Sequence, residues 1–318
     1  MKSILASFLM LLLAASSGAQ AVPAAQSTGG TGTGNDEQTL SVNVDLVDVR
    51  FTVADKKGKL ITKLKKEDFK IFEDQRQQTI TAFTSETDLP LTIALLLDTS
   101  GSIRDKLRFE QEAAIEFFHS TLRPGKDKAL VISFDSGVDL IQDFTDDAGT
   151  LTDAVRKIRA GGGTSLYDAL FLAVNEKLAK EEGRRVLILI TDGADNSSRV
   201  SMTETMEAAQ KYDVAIYGIS TNTAAFFGSS EQERGDKTLK KFAEETGGRA
   251  FFPFKVQDLA ASFGDISEEL RSQYTIAYRP GNLQMDGTFR RIRIDVADKQ
   301  YKAKARNGYY APKAGAAR

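Results

Sequence analysis

Leu91-Thr92-Ile93-Ala94-Leu95-Leu96-Leu97-Asp98-Thr99-Ser100-Gly101-Ser102 runs through seven residues without a charge, then an aspartate and two serines flanking a glycine. An apolar run of that length bounded by turn formers predicts a strand buried on both faces, as in a parallel sheet. The helical pattern from Ile103 to Leu122 follows at once. Asp98, Ser100 and Ser102 are therefore expected at the carboxyl end of a strand, with Asp98 facing solvent on the rim where open α/β sheets bind ligands. A carboxylate with two hydroxyls is an oxygen-only set suited to a hard cation such as Mg2+ or Mn2+. The same residues also serve as a plain helix N-cap.

Two further stretches bear on that choice. Gly161-Gly162-Gly163-Thr164-Ser165 puts a hydroxyl after a glycine loop just before a helix start, and Arg185-Val186-Leu187-Ile188-Leu189-Ile190-Thr191-Asp192-Gly193 is a second apolar strand ending in an aspartate. Asp-x-Ser-x-Ser, then a threonine, then a strand-ending aspartate resembles the metal-ion-dependent adhesion site of von Willebrand factor type A (VWFA) and integrin I domains. The resemblance implies that Ser100, Ser102 and Thr164 contact the metal through neutral hydroxyls. Asp98 and Asp192 would act mainly through waters or through hydrogen bonds to those hydroxyls. One open position on the ion would take a Glu or Asp carboxylate from a partner protein.

Outward from this stretch, residues 89–272 alternate strand and helix. Strands are expected at Leu91–Leu97, Ala129–Phe134, Val138–Phe144, Val186–Ile190, Val214–Ile219 and Ala250–Phe254. Helices are expected at Ile103–Leu122, Ala148–Arg159, Leu166–Lys180, Met202–Tyr212, Lys237–Glu245 and Leu259–Arg271. That order argues an α/β fold, a doubly wound, mostly parallel Rossmann-like sheet. Val138–Phe144 follows Phe134 too closely to be parallel to it and is expected as an antiparallel edge.

Both flanks read as β structure. In residues 40–88 a parity switch predicts a bulge near Leu46-Val47, with short strands at Leu60–Leu64, Phe69–Glu73 and Thr79–Phe83. In residues 273–312, Tyr274–Tyr278, Phe289–Val296 and Tyr301–Ala305 follow the same pattern, before a tail at 313–318. Neither flank buries much alone, so the two are expected to build one smaller β-sandwich-like domain, the alternative being two separate hairpin appendages. The run Leu64-Lys-Lys-Glu-Asp-Phe-Lys-Ile-Phe-Glu-Asp74, the segment Gly287–Ile294 and the ending Asn307-Gly-Tyr-Tyr-Ala-Pro312 are similar to the secreted bacterial "VWFA-related" family best known from acidobacteria. That family's pattern has glycine where this chain has Gln75.

Composition narrows the function. The absence of cysteine excludes disulfides, zinc–thiolate sites, thiol nucleophiles and a lipoprotein anchor, and a single histidine, His119, leaves little for hydrolase chemistry. A net charge of -2 gives no case for nucleic acid. Residues 1–21 have the layout of a signal peptide ending Ala19-Gln20-Ala21, and 22–39 that of a flexible leader; a secreted or periplasmic chain without a transmembrane segment in its mature form is expected. Gly161-Gly162-Gly163 lacks a P-loop ending. The expected function is metal-dependent protein binding without catalysis. A metal-assisted hydrolase or phosphatase, and a subunit of an ATPase- or chelatase-like assembly, are the alternatives. Four further places could contribute: Asp168 beside the metal ligands, Asp195 and Asn196 on the rim, and Phe226-Phe227-Gly228 as an exposed aromatic contact.

Overall fold

The computed structural model describes residues 46–85, 88–222, 230–255 and 258–313. The expected signal peptide, the leader and Phe226-Phe227-Gly228 lie outside them. The N-terminal flank forms strands β1 (Val47–Asp55), β2 (Phe69–Glu73), β3 (Arg76–Gln78) and β4 (Ile80–Thr84). The central region then runs β5 (Leu91–Asp98), α1 (Leu107–Thr121), β6 (Lys128–Phe134), β7 (Val138–Thr145), α2 (Ala148–Lys157), α3 (Leu166–Leu172), β8 (Arg184–Thr191), α4 (Met202–Lys211), β9 (Val214–Ser220), α5 (Ser230–Thr246), β10 (Ala250–Phe251) and α6 (Leu259–Arg271). The C-terminal flank adds β11 (Tyr274–Tyr278), β12 (Phe289–Val296), β13 (Tyr301–Ala305) and β14 (Gly308–Tyr310).

The central sheet has the order β10-β9-β8-β5-β6-β7. All its pairings are parallel except β6 with β7, the expected antiparallel edge. Alternate residues of β5 enter two cores. Leu91, Ile93, Leu95 and Leu97 pack with α1, α2 and α6 on one face. Ala94 and Leu96 pack with α3, α4 and α5 on the other. A strand buried on both faces has no room for a charge, which is why the run carries none until its last residue. From β5 the chain moves to β6 on one side, and it later returns through β8 on the other. The winding therefore reverses between β5 and β8, and the crevice at their carboxyl ends is where such sheets place ligands.

Each flanking sheet mixes strands from both ends of the chain. One has the order β13-β1-β11-β4 and the other β14-β12-β2-β3. Val49, Phe51 and Val53 of β1 meet Ile71, Tyr274, Ile276 and Tyr278 in one apolar core. Glu73, buried there, accepts the hydroxyls of Tyr278 at 2.7 Å and Tyr309 at 2.8 Å. Burial, together with these bonds to a carboxylate, pushes both phenols upward, Tyr309 to about 12.

Several expected elements differ. Leu60–Leu64 is no strand; it makes one bridge, Ala54 with Leu60. Ile61 N–H still donates to the Val53 carbonyl of β1 at 2.8 Å, but the Tyr274 hydroxyl donates to the Ile61 carbonyl and accepts from Leu64 N–H. The bulge expected near Leu46-Val47 borders residues outside the description, and β1 begins at Val47. The helix expected from Ile103 starts at Leu107, after a tight turn at Gly101–Ile103. The helix expected over Leu166–Lys180 is α3 followed by a widened turn at Ala173–Lys177 and a tightened one at Leu178–Lys180. β10 stops at Phe251, two residues before Pro253, which has no N–H for a ladder. Conversely, α5 begins seven residues before the expected Lys237. Among the described residues no helix is long and apolar enough to cross a membrane.

Candidate metal centre

Asp98 ends β5 and Asp192 follows β8, so the two carboxylates flank the crevice where the winding reverses. Ser100 N–H donates to Asp98 Oδ1 at 2.8 Å, turning the chain back over the strand end. That turn brings the Ser100 and Ser102 hydroxyls to 3.0 Å from each other, and the Ser102 hydroxyl donates to Asp192 Oδ2 at 3.1 Å. Ser100, Ser102 and Asp192 therefore form one chain of oxygens. Ser102 is exposed and Asp192 half-buried, so the chain reaches solvent.

Asp98 departs from expectation. It does not face solvent but is fully buried. Its second oxygen accepts the Thr191 hydroxyl at 2.6 Å. Burial pushes its carboxyl up to about 6; the bonds from Thr191 and Ser100 work against this, while the charge of Asp192 adds to it. Parallel pairing of Leu97 with Ile190 sets Thr191 beside Asp98, which is what aims the hydroxyl.

Thr164 is brought to the same rim by its loop. Gly161 N–H donates to the Thr99 carbonyl at 2.7 Å, and Gly101 N–H to the Gly162 carbonyl at 3.2 Å. Gly162 has φ of +86°, and a side chain there would strike Asp135 at 2.8 Å, so the loop needs glycine at that position. Thr164 itself is buried and is gripped by its backbone. Its N–H donates to Asn196 Oδ1 at 2.9 Å, and its carbonyl accepts from Asn196 and Ser197 N–H at 3.0 and 3.1 Å. These bonds do not engage its hydroxyl.

Asp195 and Asn196, read from sequence as rim residues, thus clamp the threonine loop. Asp195 Oδ1 accepts from Leu166 N–H at 2.9 Å at the start of α3. Asp168 is turned to the same task, accepting from Arg199 and Val200 N–H at 2.9 Å each. Sequence pattern could not find these roles, because the partners lie about thirty residues away in a loop without periodicity. His119 pairs with Thr152 at 3.1 Å between α1 and α2. Among the described residues no group of three or more His, Cys, Asp or Glu side chains is placed to hold a metal. The candidate set has two carboxylates and three hydroxyls.

Residues 93–194 match the family model of the von Willebrand factor type A domain, and the chain therefore carries a domain of that family. Among solved structures, a mussel byssus protein, proximal thread matrix protein 1 "with zinc occupied MIDAS motif", is 18% identical over 62% of this chain and 49% of its own, with a TM-score of 0.49. A von Willebrand factor type A protein from Catenulispora acidiphila is 15% identical over 77% of this chain and 72% of its own, with a TM-score of 0.46. The vWF domain of the type V pili tip protein Mfa5 from Porphyromonas gingivalis is 14% identical over 57% of this chain and 95% of its own, with a TM-score of 0.46. The chain spans about half the length of the mussel protein. No curated protein matches it.

Proposed function

We propose that this chain is an exported protein-binding module that holds Mg2+ or Mn2+ at Asp98, Ser100, Ser102, Thr164 and Asp192 and captures a Glu or Asp carboxylate of a partner protein. The observation that carries the reading is the spacing of the oxygens: 3.0 Å from Ser100 to Ser102 and 3.1 Å from Ser102 to Asp192. Adjacent oxygens around an octahedral Mg2+ at ordinary bond lengths stand about 3 Å apart. Within this reading Asp98 orients Ser100 from below, and Asn196 holds the Thr164 loop in place. The bound ion supplies one thing, an electrophilic position for an incoming carboxylate. We further propose that residues 40–88 and 273–312 form one β domain beside the VWFA domain at 89–272, and that the chain belongs with the secreted "VWFA-related" proteins it resembles.

Turnover asks for a positioned proton acceptor beside the Lewis acid. The only histidine stands between α1 and α2 on Thr152, and both carboxylates of the set are committed to hydroxyl or backbone donors. Binding is the chemistry these groups support. Calorimetric titration with Mg2+ is expected to give one site, lost in Thr164→Ala; unchanged affinity in that variant would overturn the assignment. Capture of envelope proteins should disappear with EDTA and return with Mg2+. Mg2+-dependent hydrolysis that is lost in Ser100→Ala would favour an enzyme instead.

A further inference from the structure

Behind the rim, where α1 packs against the ends of β9 and β10, the structure holds a carboxylate with no partner. Glu110 is fully buried, and neither of its oxygens makes a hydrogen bond. It lines a cleft with Lys106, Thr221, Asn222 and Lys255 that has no room for a water molecule. A buried carboxylate with no hydrogen-bond donor and no water beside it gives up its charge by holding a proton.

The wall of this cleft is the back of the candidate metal site. Asn222 donates its side-chain amide to the Asp192 carbonyl at 3.0 Å, and Thr221 N–H donates to the Thr191 carbonyl at 3.0 Å. The Thr221 hydroxyl is a second buried group there without a partner. Lys106 stands one helical turn before Glu110 but sends its amine to the Thr221 carbonyl at 2.7 Å. The charged groups around the cleft are Lys106 just before α1, Asp98 from β5, Asp192 after β8, Asp236 from α5, which accepts from Ser220 and Asn222, and Lys255 before α6.

We propose that Glu110 is the proton store of this site: it is neutral while the rim lacks a cation and releases its proton to solvent when a divalent cation settles on the Asp98 and Asp192 side. The proposal rests on the cation reading above. The O–H bond of Glu110 breaks, the proton passes to buffer, the cation offsets the charges of Asp98 and Asp192, and the amine of Lys106 compensates the carboxylate left behind. Lys106, at i and i+4 spacing, is the group able to turn from Thr221 to the new anion. In the cation-free chain, burial pushes the Glu110 carboxyl well above its usual range. The charge of Asp98 raises it further, Lys106 opposes this, and Asp192 adds to the rise. A divalent ion cancels both carboxylate contributions. Cation capture then strengthens with pH by up to about tenfold per unit beyond what the ligands alone require.

The test is infrared difference spectroscopy on the full chain at neutral pH, with Mg2+ as the probe. Wild type without cation is expected to show a protonated-carboxyl stretch that Glu110→Gln lacks, and saturating Mg2+ should remove it. Calorimetry in two buffers of different ionisation enthalpy should show fewer protons released per Mg2+ in Glu110→Gln than in wild type. If Mg2+ binds but the stretch persists, or is absent from the start, the proton store is overturned while the cation site stands. If calorimetry finds no Mg2+ binding in wild type, the cation reading falls and this proposal falls with it.

Discussion

The Thr191 hydroxyl donates to Asp98 across two neighbouring strands, at 2.6 Å, and so ties together residues 93 positions apart. Asp98 is the last residue of β5 and Thr191 the last of β8; each sits next to, or is, a candidate metal residue. The bond satisfies a buried carboxylate that otherwise relies on Ser100 N–H. Thr191→Val keeps the shape and removes the donor. Stability of the cation-free protein is expected to fall by about 1–3 kcal/mol, read from the urea midpoint, and Mg2+ affinity should fall with it. An unchanged midpoint and affinity would show that Thr191 merely fills space.

Gly193 and Gly235 meet back to back where α5 crosses the Asp192 loop. A methyl on Gly235 would lie 2.1 Å from the Asp192 carbonyl oxygen, and one on Gly193 would lie 2.4 Å from the Gly235 carbonyl. Both obstacles are backbone, so neither can turn aside. Gly235→Ala is expected to cost about 1–3 kcal/mol as an overpacked contact. It should also shift Asp192, so Mg2+ affinity should drop more than in a surface control such as Lys237→Ala.

The sequence made the central sheet legible because its strands are buried on both faces, and continuous apolar runs ending in Asp98 or Asp192 leave few other readings. The rim residues followed, since ligands in such sheets gather at strand ends. What stayed hidden depended on partners far along the chain. Nothing local marks Asp98 as buried, because its partner Thr191 belongs to another strand. Asp195 and Asn196 look like ordinary turn residues, yet they hold the loop of Thr164. Leu60–Leu64 has strand composition, but a tyrosine from the C-terminal flank takes two of its backbone groups, the Ile61 carbonyl and Leu64 N–H.

Asp127 gives the protein an acid-sensitive joint. Its side chain is fully buried and accepts from Leu91 N–H at 2.9 Å, from Arg123 at 2.8 Å and from Arg271 at 2.7 Å. It thereby ties the start of β5 to the segments after α1 and at the end of α6. Burial alone would raise its carboxyl, but the two guanidinium groups and the backbone donors outweigh burial and hold it well below its ordinary 3.8. A carboxyl depressed in the folded state adds stability above its unfolded value, and that contribution is lost as pH falls through the folded one. Wild type should therefore lose stability progressively below about pH 4. Asp127→Asn should be weaker at neutral pH by on the order of 3 kcal/mol and show a flatter acid limb. Parallel acid limbs for the two proteins would remove Asp127 from the account.

Gln75 occupies the turn between β2 and β3 at φ of +68°, after Asp74 at +45°. Two successive positive φ values are what a tight hairpin with the right-handed twist of its strands requires, and its second position favours glycine. This is the place where the chain departs from the pattern of the family it resembles. The hairpin forms regardless, with Glu73 paired to Arg76 and Ile71 to Gln78, because Ile71 and Glu73 are anchored inside the β core. The departure is therefore expected to appear as strain and not as a change of fold. Holding a residue with a Cβ in the left-handed region costs about 1–2 kcal/mol, part of which glycine returns through its greater freedom in the unfolded chain. Gln75→Gly should raise stability by about 0.5–1 kcal/mol, seen as a higher denaturant midpoint at unchanged slope. Mg2+ affinity should not move, since β2 and β3 belong to a different sheet from the rim. A lower midpoint would mean that the Gln75 side chain makes a contact worth more than the strain.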